Sequence, residues 1–219
     1  MIYHDIYSYH RSEEPDVETI LCINVDDTTE DLVDDLPCSV GVSPRSINDN
    51  VDDVLYIAQD IASEPTVIAI GGAGLDRSIP IGWVDQMRVF EDQIAFSELH
   101  CKPMVLHCVR AHADVVTLRR ELQAAQPWII HAFDKGADTL DRIIEAGLYV
   151  SFGTAVLNEG SQAALSATSV TIERLFLETG SDTDVNIKAI YSHVAGLRGV
   201  SVEQLCEAIQ HNYDTVFKQ

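Results

Sequence analysis

Eight short runs rich in Val, Ile, Leu and Tyr recur along the chain, at residues 2–8, 19–25, 38–43, 66–71, 103–109, 127–133, 148–153 and 174–179. Several are continuously apolar rather than alternating, the pattern of strands covered on both faces of a parallel sheet. Between them apolar positions fall at helical spacing over 51–63, 84–100, 111–125 and 139–146, and again over a closing pair at 186–197 and 201–217. Ser201, after the Gly199-Val200 turn and before Glu203, is placed to cap the last helix. The alternation predicts an α/β fold. Eight β/α units in 219 residues lie near the lower size for a single (β/α)8 TIM-type barrel, and a doubly wound open sheet is the alternative. No repeat, linker or low-complexity tract marks a second domain, so residues 1–219 are expected to form one. In a barrel the chemistry sits on the loops after the strand C-termini, and those strand ends are the positions to read.

Composition narrows the function classes. With 46% apolar residues, 12 Gly and 7 Pro, the chain is that of a globular protein. No run approaches the roughly 18 apolar residues of a membrane span, and the first residues lack the basic and apolar regions of a secretory signal. A cytoplasmic protein without membrane contact is expected. Fourteen Lys plus Arg against 35 Asp plus Glu give a net charge of −21, which repels a phosphate backbone unless cations or a local basic patch intervene. Nucleic acid is therefore a disfavoured partner, leaving a small ligand or a protein. The five cysteines, Cys22, Cys38, Cys101, Cys108 and Cys206, show no CxxC spacing. Cys22, Cys38 and Cys108 fall in apolar runs and read as buried thiols rather than metal or redox groups.

In order, the strand ends read Asp5-Ile6-Tyr7-Ser8-Tyr9-His10, Gly41-Val42-Ser43-Pro44, Gly71-Gly72-Ala73-Gly74-Leu75-Asp76, His107-Cys108, His131-Ala132-Phe133 and Leu177-Glu178-Thr179-Gly180. This series resembles the TatD-type deoxyribonucleases of the amidohydrolase-like barrels. They show D-x-H-x-H at the first strand, G-E-x-G-L-D mid-chain, two separate strand-end histidines and L-L-E-T-D at the last strand. The resemblance runs nearly end to end and takes in Leu197-Arg198-Gly199 and Asn212-Tyr213. It implies a barrel in which two divalent metals, held by the paired histidines, the Glu of the G-E motif, the two later histidines and the final Asp, activate water for phosphodiester cleavage.

Carried across residue by residue, the resemblance puts Tyr7 and Tyr9 at the H-x-H pair, Gly72 at the bridging Glu and Gly180 at the final Asp. Only His107 and His131 remain of the ligand set. Mg²⁺-type ions need carboxylate oxygens, and a firm catalytic zinc site wants three protein ligands. No cofactor is expected beyond one weakly bound divalent transition metal at His107 and His131, and no residue is assigned a catalytic role. As replacement ligands, His4 and His10 have the wrong strand parity, His10 lying beyond the strand end where parity can break. Asp76 and Asp182 would need loop rearrangement. Ser43 stands where the family often has a phosphate-binding histidine, and Arg45 and Arg77, just beyond strand ends, are the nearest cations that could meet an anionic ligand, though they read first as lone surface arginines.

The structural reading of the same residues makes His107 and His131 buried histidines satisfied by backbone carbonyls. Tyr7 and Tyr9 then fill the space of the absent metals, with hydroxyls reaching His107, His131 or Glu178. Gly71, Gly74 and Leu75 serve turns and packing. Three functions compete: a surviving metal-dependent hydrolase using His107, His131 and a recruited carboxylate; a barrel binding a small ligand or protein in a pocket lined by Tyr7, Tyr9, His107, His131, Phe133, Glu178 and Asp76; and a metal-free acid/base enzyme. There is no G-x-S-x-G elbow to supply a nucleophile. The inherited activity would be DNase-type hydrolysis, expected to be weak or absent, and the residues favour the binding role.

Overall fold

All eight runs form strands in the computed structural model, which describes residues 1–26, 29 and 36–218. They are β1 Tyr3–Ser8, β2 Val17–Asn24, β3 Cys38–Gly41, β4 Val67–Asp76, β5 Met104–Val109, β6 Trp128–Ile130, β7 Tyr149–Phe152 and β8 Leu175–Leu177. The helices are α1 Val51–Ile61, α2 Trp83–His100, α3 His112–Glu121, α4 Ala137–Glu145, α5 Gln162–Ser169, α6 Ile187–Arg198 and α7 Val202–Phe217. The strands join one sheet in chain order from β1 to β8. A parallel bridge between Ser8 and Gly180, with Gly180 N donating to Tyr7 O and Tyr9 N donating to Gly180 O, ties the end of β8 back to β1. From β3 onward each strand is followed by a helix, which makes this the (β/α)8 barrel class rather than a doubly wound sheet.

Contacts gather the described residues into two compact units, residues 22–129 and residues 1–21 with those from 130 on. In the first, the buried side chains of Val40, Ile70, Phe90, Ile94, Met104 and Leu106 make the core between β3, β4, β5 and α2. Gln93 of α2 is buried among them because it completes a strand end: its Nε2 donates to Val42 O at 3.0 Å and its Oε1 accepts from Val42 N at 2.7 Å. That pair of bonds fixes Val42, the residue from which the Ser43-Pro44-Arg45 turn departs.

In the second unit Ile6, Phe152, Phe176, Ile190, Tyr191, Ile209 and Val216 are buried. Tyr191 Oη donates to His4 O and accepts from His4 N, both at 3.1 Å, holding β1 against α6. The His4 ring stacks on Tyr213 of α7 at 4.0 Å and its Nε2 lies 2.8 Å from Gln210 Oε1. It thus points to the helices, as strand alternation requires, and burial pushes its pKa down. Ser201 caps α7 in a reciprocal box with Gln204.

Two expectations change. Cys108 is only half-buried, because it lies near the end of β5, whereas Cys22, Cys38 and Cys206 are buried. A further helix, α5, stands where no amphipathic run was evident. Among the described residues no helix is long and apolar enough to cross a membrane.

Candidate functional site

Within residues 22–129, the end of β4 meets the end of β5. Gly74 pairs with His107 in register, its φ is +139°, and a Cβ on it would lie 2.0 Å from His107 O. Only glycine permits this approach, which carries the next turn of chain, and Asp76 with it, to the His107 ring. Asp76 is fully buried. Its Oδ2 accepts from His107 Nε2 at 3.0 Å and from Arg45 Nη2 at 3.0 Å, while its Oδ1 accepts from Ser78 N at 2.8 Å and from Ser78 Oγ. Gln86 of α2, also buried, pins the same turn: Oε1 accepts from Asp76 N and Nε2 donates to Asp76 O and Ile81 O. Burial pushes the Asp76 carboxyl up, but the hydrogen bonds from Ser78, His107 and Arg45 outweigh it and hold the group well below the usual carboxylate range.

Arg45 reaches Asp76 from a short 3-10 turn whose cap is Ser43, the hydroxyl accepting from Arg45 N at 3.2 Å. Asn24 Oδ1 in turn accepts from Ser43 N. Arg45 is therefore part of a buried-carboxylate cluster and not the plain surface arginine expected. Arg77 is not a lone surface residue either: it is forked onto Asp114 at 2.8 and 3.3 Å and laid over Trp83 at 3.7 Å.

In the other unit, His131 follows β6 and Glu178 follows β8. Glu178 is buried; its Oε1 lies 3.2 Å from His131 Nδ1 and its Oε2 accepts from Ser151 Oγ of β7. The Tyr7 ring stacks on the His131 ring at 4.4 Å, and the Tyr7 and Tyr9 hydroxyls are 3.4 Å apart. Tyr7 is buried and meets the imidazole with its face, whereas Tyr9 is 44% exposed and does not fill interior space as expected. His131 and His107 are also matched to carboxylates where backbone carbonyls were anticipated.

Asp5, in the same unit, was passed over in the sequence although it is the Asp of the D-x-H-x-H pattern and shares the parity of Tyr7. It is buried, with Oδ1 accepting from Thr179 N at 3.0 Å and Oδ2 from Thr179 Oγ1 at 2.6 Å. Burial raises its carboxyl to about 7, against the hydrogen bonds from Thr179 and with help from the charge of Glu178. A cavity of about 260 Å³ touches it, and His10 and Asp182 line that cavity.

The positions where the resemblance puts carboxylate ligands have turned to left-handed backbone: φ is +80° at Gly72 and +61° at Gly180. A Glu or Asp side chain there would carry conformational strain. Among the described residues no group of three or more His, Cys, Asp or Glu is arranged to hold a metal ion. One histidine with one carboxylate, as at His107 with Asp76 and at His131 with Glu178, falls short of the three ligands of a firm zinc centre and the oxygen-rich shell of Mg²⁺. Among the described residues, neither pair by itself fits the donor set of the two metals that the resemblance implies.

A family model described as TatD related DNase matches residues 23–218. The chain belongs to the TatD-related DNase family. Similar TatD-type proteins include the uncharacterized metal-dependent hydrolase YcfH of Escherichia coli K12, 27% identical over 199 residues that cover 84% of this chain and 74% of that protein. The 3'-5' ssDNA/RNA exonuclease TatD of Dickeya dadantii is 28% identical over 206 residues, covering 82% and 76%. Two solved structures share the fold: the TatD homologue YJJV of Escherichia coli K12, with a TM-score of 0.77 at 17% identity over 92% of this chain and 86% of that one, and a TatD-family hydrolase from Entamoeba histolytica, with a TM-score of 0.77 at 14% identity over 99% and 98%. The resemblance sets His107 and His131 at two ligand positions of the TatD pattern and Tyr7, Tyr9, Gly72 and Gly180 at the others.

Proposed function

We propose that this TatD-family hydrolase chain has lost efficient metal-dependent phosphodiester cleavage and that its strand-end residues bind a small ligand or a protein partner in the cytoplasm. The observation that carries the reading is the pairing of each retained histidine with one buried carboxylate, His107 with Asp76 and His131 with Glu178, in a chain whose other ligand positions are Tyr7, Tyr9, Gly72 and Gly180. Such pairs hold imidazoles in a fixed orientation and suit hydrogen bonding to a ligand. They supply too few donors to bring a divalent ion to the potency that phosphodiester cleavage demands. The net charge of −21 adds a long-range penalty for a polyanionic substrate.

Metal analysis of the purified protein, with a nuclease assay on single-stranded DNA across Mg²⁺, Mn²⁺ and Zn²⁺, tests this reading. The expected outcome is substoichiometric metal and no turnover that depends on His107 or His131. Stoichiometric metal with turnover abolished in both His107→Ala and His131→Ala would sink it. A second reading, residual metal-dependent hydrolysis, draws its support from the relatives that are named as a metal-dependent hydrolase and as exonucleases.

A further inference from the structure

One oxygen atom carries an arrangement that the loss of ligands alone does not explain. Asp76 Oδ2 receives both His107 Nε2 and Arg45 Nη2 at 3.0 Å, while the second carboxylate oxygen is taken up by the Ser78 amide and hydroxyl. A divalent ion held by His107 and Asp76 would have to use the nitrogen and the oxygen that now face each other. It would also sit within a few ångströms of a guanidinium that cannot give up its charge.

The guanidinium is held in place by its surroundings. Its turn begins at Ser43, whose hydroxyl accepts from Arg45 N, and follows Val42, whose N–H and C=O are both held by buried Gln93. Pro44 is buried and fixes the backbone between them. Arg45 is 60% exposed, so it is not a residue that packing forces into the core, yet it reaches a carboxylate with no exposure at all. An exposed ion pair of the ordinary kind has two solvated partners and contributes little. Here one partner is a buried anion that needs a compensating cation.

We infer that Arg45 is a counter-cation built into the chain: its guanidinium takes the charge-balancing place of a metal at Asp76 and His107 and excludes divalent ions from that pair. The inference rests on the reading above that this chain is not a metal-dependent nuclease, and it identifies the residue responsible at one of the two retained histidines.

Co²⁺ alone is a suitable probe, since its visible absorption reports ligation and a shift in melting temperature reports binding independently of any activity. Titrations are compared for the parent, Arg45→Gln, Arg45→Lys and the double variant Arg45→Gln/His107→Ala. Arg45→Gln is expected to bind Co²⁺ at least roughly tenfold more tightly than the parent, because a like charge beside the ion has been removed. Its melting temperature should rise with Co²⁺, Arg45→Lys should behave as the parent, and the double variant should lose the gain. If Arg45→Gln does not fold, Arg45→Met, which keeps the length of the stem, replaces it. Parent-like affinity in the charge-free variant, or a gain that survives His107→Ala, overturns the inference while leaving the proposed function intact. Tight stoichiometric Co²⁺ in the parent through His107 overturns both.

Discussion

Burial holds the proton on Asp5 up to about 7, against 3.8 for an ordinary aspartate, so folding and titration are linked at this residue. The folded state binds the proton more tightly than the unfolded chain, and the resulting stability is complete at acid pH and declines as pH rises from about 4 through 7. Asp76 has the opposite sign: its lowered pKa contributes stability that is present above the ordinary carboxylate range and fades only in stronger acid. Between pH 4 and pH 8, therefore, Asp5→Asn should gain on the parent in urea-measured unfolding free energy, by several kcal/mol across the window. Parallel pH profiles for the two proteins would contradict this. At the residue scale the sequence marked out His107, His131 and Glu178 as polar groups within or at the end of apolar runs, whereas Asp76 stood out only through the resemblance. The sequence did not expose their pairing, since the partners lie 31 and 47 positions apart and meet only through register. Gly74 decides one of those meetings, and a glycine in sequence does not announce which neighbour's backbone it admits.

Elements buried on both faces were the easiest to read, because a continuous apolar run of strand length has few other uses in an α/β chain. The exception is β4, which extends to Asp76 through Gly71-Gly72-Ala73-Gly74, where small residues leave no hydrophobic signal. The helix α5 was missed for a related reason. Its sequence, Gln-Ala-Ala-Leu-Ser-Ala-Thr-Ser, buries alanines and a serine rather than large side chains. Its C-terminal carbonyls find a partner in Arg198 at the end of α6, whose Nη1 donates to Ala167 O at 2.7 Å and Val170 O at 2.9 Å. Arg198→Met keeps the stem and removes the donors, and should cost roughly 1–3 kcal/mol through the orphaned carbonyls. The change is also expected to speed amide exchange in α5 selectively. Uniform exchange across all helices would show that the contact is not what secures this one.

At the scale of the molecule, 21 uncompensated negative charges repel one another through solvent. Raising ionic strength from about 0.01 M to 0.15 M shortens the screening length from about 30 to about 8 Å. The melting temperature measured by calorimetry should rise over that range, and a flat or falling trend would mean that local ion pairs dominate the long-range field. The seam between β1 and β8 has its own consequence, which concerns synthesis on the ribosome. Gly180 and Thr179 leave the exit tunnel more than 170 residues after Asp5 and Tyr7, so one side of β1 stays unpaired while most of the chain is made. Residues 22–129 form an unbroken stretch and emerge in full well before the seam can close. The nascent protein thus presents a waiting strand edge and an ionised, solvated Asp5, which makes the interval before β8 emerges the period of greatest exposure to misassembly and of greatest use for a chaperone.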